Sequence, residues 1–100
     1  MAVGGDFNAP TAHVDIAAAS RDSGESWALS SVMPGGYRSG VAFAGHDELV
    51  AVGPTGSDVS FDGGDTWTTF DTGYFDTVQR GRDGTVWASG NAGRVAVLER

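Results

Sequence analysis

An eight-residue pattern occurs twice in this chain, forty positions apart, and it restricts the possible folds more than any other feature. The first copy is Ser20–Trp27 and the second is Ser60–Trp67, and both follow Ser-x-Asp-x-Gly-x-Ser/Thr-Trp. We call them the first and the second octapeptide. The flanking segments repeat in the same order, as Gly36–Val41 and Gly73–Val78 do. Any fold proposed for the chain must therefore explain a repeated unit of roughly 40 residues.

The residue types of the octapeptides are those of a tight turn between two strands. An Asp at the entrance of a turn accepts hydrogen bonds from backbone N–H groups ahead of it, and a glycine two places later adopts positive φ without cost. The tryptophan then begins the outgoing strand, where its ring can bury on the order of 150–250 Å². A calcium loop would need more carboxylates at alternating positions than Asp62–Asp65 offers. The predicted structural residues of the two turns are Ser20, Asp22, Gly24, Ser26, Trp27, Ser60, Asp62, Gly64, Thr66 and Trp67.

Each repeated unit divides into four short strands, A to D, by alternation and by β-branched or aromatic content. The predicted strands are A at Tyr37–Ala44 and Tyr74–Arg80; B at Ala2–Gly4, Glu48–Gly53 and Thr85–Ser89; C at Val14–Ser20, Ser57–Phe61 and Arg94–Leu98; and D at Ser26–Ser30 and Thr66–Phe70. A period of roughly 40 residues with four antiparallel strands is typical of a β-propeller blade. The sequence thus predicts an all-β chain of about two and a half blades: BCD at 1–31, ABCD at 32–71 and ABC at 72–100.

Composition and charge exclude several classes of protein. One hundred residues fit one compact domain, and no apolar run approaches the ~18 residues of a membrane helix. A net charge of −7 without any lysine argues against a nucleic-acid partner. No signal peptide opens the chain, and the absence of cysteine excludes disulfides and leaves the compartment undetermined. The two histidines, His13 and His46, fall on separate loops, so no metal site is predicted.

The octapeptides resemble the Asp-box of BNR-repeat propellers, a group that includes sialidases, sortilin-type receptors and photosystem II assembly factors. The stretches Pro34–Val41 and Val52–Val59 are most similar to the C-terminal part of bacterial relatives of those assembly factors. The resemblance covers nearly the whole chain. It implies that the octapeptides mark the fold, lie away from the ligand face, and belong to a closed ring of several blades.

In a propeller, the A–B and C–D turns share one face, and the B–C and D–A loops share the other. The first unit inserts Asp6–His13 between strands B and C, where the second has only Thr55–Gly56. Inserted loops on a rigid scaffold often carry function. The candidate ligand face comprises Asp6, Asn8, His13, Tyr37, Arg38, Tyr74 and Asp76.

Two interpretations are open for the charged and aromatic residues of the innermost strands. Arg38 either clamps a carboxylate or phosphate or forms an ion pair between blades, with Asp76 or an equivalent acid. Tyr37 and Tyr74 either pack between blades or form recognition platforms.

The residues of this sequence disfavour an enzyme, although its composition does not exclude a Ser-His-Asp triad. A sialidase-like site needs a glutamate beside a tyrosine, but Glu25, Glu48 and Glu99 fall at turns or at the chain end. Glycine pairs open strands and not helices, so no dinucleotide site is indicated, and no Gly-x-Ser-x-Gly motif is present. We therefore expect a non-catalytic scaffold or binding module without a cofactor. The alternative is a fragment of a glycan-binding or glycan-cleaving propeller of this class.

The incomplete outer units predict a partner. The first unit lacks strand A and the last lacks strand D, and exposed strand edges and apolar faces invite pairing. We expect head-to-tail homo-oligomers in which the missing strand comes from the next copy, as a trimer with six blades or a tetramer with eight. The compatible alternative is a piece, excised or engineered, of a longer propeller. A small-molecule or glycan ligand is not identified by the sequence.

Overall fold

The computed structural model describes residues 1–98 and shows ten strands. The strands are β1 (Ala2–Val3), β2 (Ala17–Ala19), β3 (Ala28–Leu29), β4 (Gly40–Phe43), β5 (Leu49–Gly53), β6 (Gly56–Ser60), β7 (Thr68–Asp71), β8 (Thr77–Arg80), β9 (Val86–Ser89) and β10 (Val95–Val97). Helical structure within this range is confined to a 3-10 turn at Asn91–Gly93. No helix of the described residues is long and apolar enough to cross a membrane.

The strands form three antiparallel sheets in which spatial order follows chain order. The N-terminal sheet is β1-β2-β3, the central sheet is β4-β5-β6-β7, and the C-terminal sheet is β8-β9-β10. The predicted all-β class and the antiparallel grouping are confirmed, and the four-stranded central sheet is consistent with a propeller blade. The predicted closure of a ring through oligomerisation stays a prediction.

Several strands are shorter than predicted, for local reasons. The strand expected from Val14 begins at Ala17, because Asp15 adopts a left-handed conformation (φ 54°) and belongs to the preceding loop. The strand expected from Tyr37 begins at Gly40. The N–H of Tyr37 donates to the carbonyl of Pro10, at 2.9 Å, and is not part of a ladder within the central sheet.

Successive sheets are joined by the same backbone contact. The N–H of Arg38 donates to the carbonyl of Gly4, at 3.0 Å, and the N–H of Phe75 donates to the carbonyl of Gly53, at 3.2 Å. In both cases the segment before a sheet's first strand is hydrogen-bonded to a glycine of the previous sheet, Gly4 directly after β1 or Gly53 at the end of β5. The same type of backbone hydrogen bond therefore connects the first sheet to the second and the second to the third.

Strand β5 lies at the centre of the fold because both of its faces are covered. All five of its residues are buried. Leu49 and Ala51 pack with Trp67 against Met1 and Val3 of the N-terminal sheet. The alternate residues of the strand enter a second core on the other side, between the central and C-terminal sheets. This second core contains Ala44, Val50, Val52, Phe75, Val78 and Val86.

The two octapeptide tryptophans differ in burial although their motifs match. Trp67 is 4% exposed, whereas Trp27 is 52% exposed. Met1 and Val3 of the preceding sheet cover Trp67. Trp27 lies in the first sheet, so the described residues include no preceding sheet that could cover it.

We predict that Trp67→Ala lowers the free energy of unfolding by about 3–5 kcal/mol, because it opens a cavity between two sheets. The matched control is Trp27→Ala, which removes the same side chain from the same motif at a half-exposed position. At a protein concentration at which the chain is monomeric, it should cost less than about 1 kcal/mol. Urea unfolding followed by circular dichroism measures both, and equal losses would contradict the assignment of Trp67 to the core between sheets.

Candidate functional site

The two octapeptides fold into matching turns around a carboxylate. Asp22 Oδ1 accepts from the Ser26 N–H at 2.8 Å, and Asp62 Oδ1 accepts from the Thr66 N–H at 2.9 Å. The hydroxyls of Ser26 and Thr66 donate to Oδ2 of the same carboxylates, each at 2.5 Å. Both oxygens of each Asp are thus engaged within its own turn.

The opening serine of each octapeptide closes the turn from the other side. The Ser60 hydroxyl donates to Asp62 Oδ1 at 2.8 Å and accepts from the Gly64 N–H at 2.9 Å. Ser20 makes the same pair of contacts with Asp22 and Gly24, at 2.9 and 2.8 Å. Gly64 has φ 96° and Gly24 has φ 91°, so the positive φ expected of these glycines is present.

These hydrogen bonds favour the ionised carboxylates. The hydroxyl of Ser26 contributes most to lowering the pKa of Asp22 from 3.8 to about 2, followed by the Ser26 N–H. Thr66 acts in the same way to lower the pKa of Asp62 from 3.8 to about 2. Within residues 1–98, no group of three or more His, Cys, Asp or Glu side chains is placed to hold a metal ion.

Arg38 pairs with an acid of its own unit and not with Asp76 or another acid of a neighbouring sheet, which corrects the predicted ion pair between blades. Its Nε lies 2.5 Å from Oδ2 of Asp58 on β6, within the same sheet, and the two residues are 2% and 0% exposed. Its Nη1 donates to Thr55 Oγ1 at 3.1 Å. Arg38 is therefore part of the interior and not of an accessible ligand face.

Asp58 is a central residue that the sequence interpretation missed. Besides Arg38, its carboxylate accepts from the Gly35 N–H, at 3.2 Å to Oδ1, and from the hydroxyl of Thr69. Every buried side-chain nitrogen and oxygen of the described residues has a hydrogen-bond partner. The available signal was an acid, Asp58, inside predicted strand C of the same unit in which Arg38 begins strand A.

Three residues of the candidate ligand face come together near the starts of the innermost strands. A hydrogen bond with the Asp76 carboxylate, followed by the charge of Asp76, raises the pKa of Tyr74 above 10.0, and Tyr37 lies close enough to add to this effect. Phe7, from the inserted loop, meets Tyr37 edge to face, with ring centroids 6.0 Å apart. The structure thus brings Asp76 close to Tyr74 and places Phe7 against Tyr37.

The remaining residues of the candidate ligand face form hydrogen bonds within their own loop. Asp6 Oδ1 accepts from the Asn8 N–H at 2.8 Å, which forms a local Asx turn. His13 is exposed, and its Nδ1 lies 3.4 Å from the carbonyl oxygen of Thr11.

No protein-family model matches the chain, and neither the curated proteins nor the solved structures contain a significant match.

Acidification should remove the contribution of Asp22 and Asp62 to the stability of the folded state. Their pKa values are depressed in the folded state, so their stabilisation is complete above about pH 4 and is lost as the pH falls towards 2. The double variant Asp22→Asn/Asp62→Asn should be less stable than the parent at pH 6, and its melting temperature should fall less between pH 4 and pH 2.

Asp15→Asn is the matched control for this experiment, because it removes the same charge from an exposed loop outside the octapeptides. Thermal melts by circular dichroism across this range test the prediction. If the parent and the double variant lost stability in parallel, the turn carboxylates would not be the titrating groups.

Breaking the Arg38–Asp58 pair should be costly, whereas replacing both members should cost less. At the corresponding places of the C-terminal sheet, Phe75 and Ala96 stand where the central sheet has Arg38 and Asp58. Arg38→Phe alone leaves a buried carboxylate without its cation and should cost about 3–5 kcal/mol.

The double variant Arg38→Phe/Asp58→Ala copies the apolar arrangement of the C-terminal sheet and should recover part of that loss. Recovery is incomplete because the Gly35 N–H and the Thr69 hydroxyl lose their acceptor. Chemical denaturation of both variants provides the measurement. A double variant less stable than the single variant would show that the pair has no apolar substitute at this position.

Proposed function

We propose that this chain is a non-catalytic scaffold of the β-propeller type, whose blade-like sheets bind further sheets of the same kind, including those of other copies. The observation that carries the proposal is the unequal burial of two tryptophans in matching turns. One sheet covers Trp67, while Trp27 presents the same side chain to solvent.

Both outer sheets present apolar side chains to solvent. Trp27 and Leu29 of the N-terminal sheet are about half exposed. In the C-terminal sheet, Trp87 and Val97 are about half exposed and Val95 is more exposed. Trp87 occupies the place in β9 that Val50 occupies in β5, on the face that would meet a following sheet. Exposed apolar patches of this kind mark interaction surfaces.

The two ends differ from each other, so their association would be heterologous. Such contacts close into rings when the rotation between copies divides the circle, and otherwise form open assemblies. The proposal therefore includes the expected ring of three or four copies. The octapeptide carboxylates and Arg38 are occupied by internal hydrogen bonds, which supports a structural and not a catalytic role for them.

Self-association can be measured directly. We expect multi-angle light scattering to give a mass of several chains, with the proportion of assembled protein rising with concentration. A mass of one 10.3 kDa chain at all concentrations, combined with cooperative unfolding, would contradict the proposal.

A second candidate function is binding of a glycan or another small ligand by the cluster of Tyr37, Tyr74 and Asp76. The supporting observations are the nearness of the Asp76 carboxylate to Tyr74, which raises the pKa of that tyrosine, and the edge-to-face contact of Tyr37 with Phe7. A glycan array probed with the parent protein and with Asp76→Ala tests it. Signals that depend on Asp76 support the binding surface, and an array without signal counts against a glycan ligand.

A further inference from the structure

The connection between β1 and β2 is longer than the pairing of these strands requires. Thirteen residues, 4–16, lie between them, whereas only Pro54 and Thr55 join β5 to β6 in the central sheet. Two residues are therefore enough to join two strands of this fold, and the inserted loop, residues 6–13, is not needed for strand pairing. Additional loop residues on a rigid scaffold are a common place for binding functions.

Hydrogen bonds fix the inserted loop against the central sheet. Inside the loop, the Asp6 carboxylate accepts from the Asn8 N–H at 2.8 Å. The carbonyl of Pro10 attaches the loop to the sheet, because it accepts from the Tyr37 N–H at 2.9 Å and from the Thr55 hydroxyl at 3.2 Å. The loop is therefore pre-organised, which lowers the conformational entropy that it loses when it binds another molecule.

The inserted loop presents one large apolar side chain to solvent. Phe7 is 72% exposed, although its ring meets that of Tyr37 edge to face. A side chain that protrudes in this way does not enclose a small molecule, because ligand sites for small molecules are concave. It fits a concave surface of a second macromolecule, and Phe is enriched in the interfaces between proteins.

The charged side chains of this connection are acidic. Asp6 directly precedes Phe7, Asp15 follows the inserted loop, and residues 4–16 contain no Lys or Arg. Both carboxylates are exposed, and neither forms a salt bridge with a described residue. The whole chain has a net charge of −7. A partner surface that matches this loop therefore combines an apolar pocket with positive charge around it.

We propose that the inserted loop binds a partner protein through Phe7, which enters an apolar pocket bordered by Arg or Lys side chains of that partner. This surface differs from the one proposed for self-association, because Phe7 lies in a connection and contacts the central sheet through Tyr37. A membrane surface fits less well, since anionic lipids repel Asp6 and Asp15.

Selection of phage-displayed random cyclic peptides on the parent protein provides a probe that assumes no particular partner. We expect the selected peptides to be rich in Arg and Lys and to bind Phe7→Ala at least about thirtyfold more weakly than the parent. The matched control is Phe61→Ala, because Phe61 is 71% exposed but lies in the second octapeptide. This control should change binding less than about threefold. Both rings are exposed, so each variant should keep the fold.

Two further variants separate the effect of charge from that of pre-organisation, with surface plasmon resonance as the measurement. Asp6→Asn keeps an oxygen that can accept from the Asn8 N–H but removes the charge, so it should slow association most strongly at low salt. Thr55→Val removes the hydroxyl that binds the Pro10 carbonyl and should weaken binding about three- to tenfold, although Thr55 lies outside the loop. Hydrogen exchange of the Tyr37 N–H, which donates to Pro10, should then become faster.

Four outcomes would overturn the proposal. Peptides that bind Phe7→Ala and Phe61→Ala equally well, or a selection that enriches no peptide, would exclude the loop as a docking site. Peptides that require Phe7 without an excess of Arg and Lys would exclude a basic partner surface. Binding of the parent to phosphatidylcholine vesicles that is lost in Phe7→Ala would indicate a membrane contact instead of a protein partner. Dissociation of assembled protein by Phe7→Ala in sedimentation velocity would assign the loop to a contact between copies.

Discussion

The burial of one indole between two sheets connects most features of this fold. Trp67 Nε1 donates to the carbonyl of Gly64 at 3.0 Å and to the hydroxyl of Ser30 at 3.3 Å. The first contact belongs to its own turn and the second to the preceding sheet. The apolar ring fills the space over Leu49 and Ala51, so a single side chain joins a turn, a core and an interface between sheets. Because the contact requires a neighbouring sheet, an isolated sheet of this type cannot satisfy it.

This requirement gives the octapeptide its physical role. Asp62 fixes the turn by accepting from the N–H and hydroxyl of Thr66, and that turn determines where Trp67 enters the next strand. The Asp62 carboxylate therefore stabilises the fold indirectly: it holds the turn in the conformation that places the Trp67 indole between the sheets. The same turn occurs at Asp22 with the same hydrogen bonds, yet Trp27 remains half exposed. The motif therefore specifies a turn, and the neighbouring sheet specifies burial.

That distinction explains what the sequence could predict. The strands were predictable because Asp-Gly turns separate short segments with β-type alternation, and the matching turns were predictable from their residue types. The partner of Arg38 was not, because Asp58 lies in a strand whose polar positions resemble solvent-facing ones. Its burial depends on the segment before β4, whose Gly35 N–H bonds Asp58. Likewise, matching motifs could not reveal the unequal exposure of Trp27 and Trp67, which arises from contacts between sheets.

The buried Arg38–Asp58 pair and an apolar groove between the central and C-terminal sheets, lined by Val50, Val86 and Ala88, are two outcomes of one structural difference. Ten residues separate β3 from β4, and part of this segment lies against the central sheet through the contact between Gly35 and Asp58. Only five residues separate β7 from β8, and the corresponding sheet has Phe75 and Ala96 in place of the ion pair. An apolar surface under a short connection has no internal segment to cover it. The buried Arg38–Asp58 pair therefore belongs to a sheet that its long connecting segment covers, and the groove belongs to one that its short connecting segment leaves uncovered.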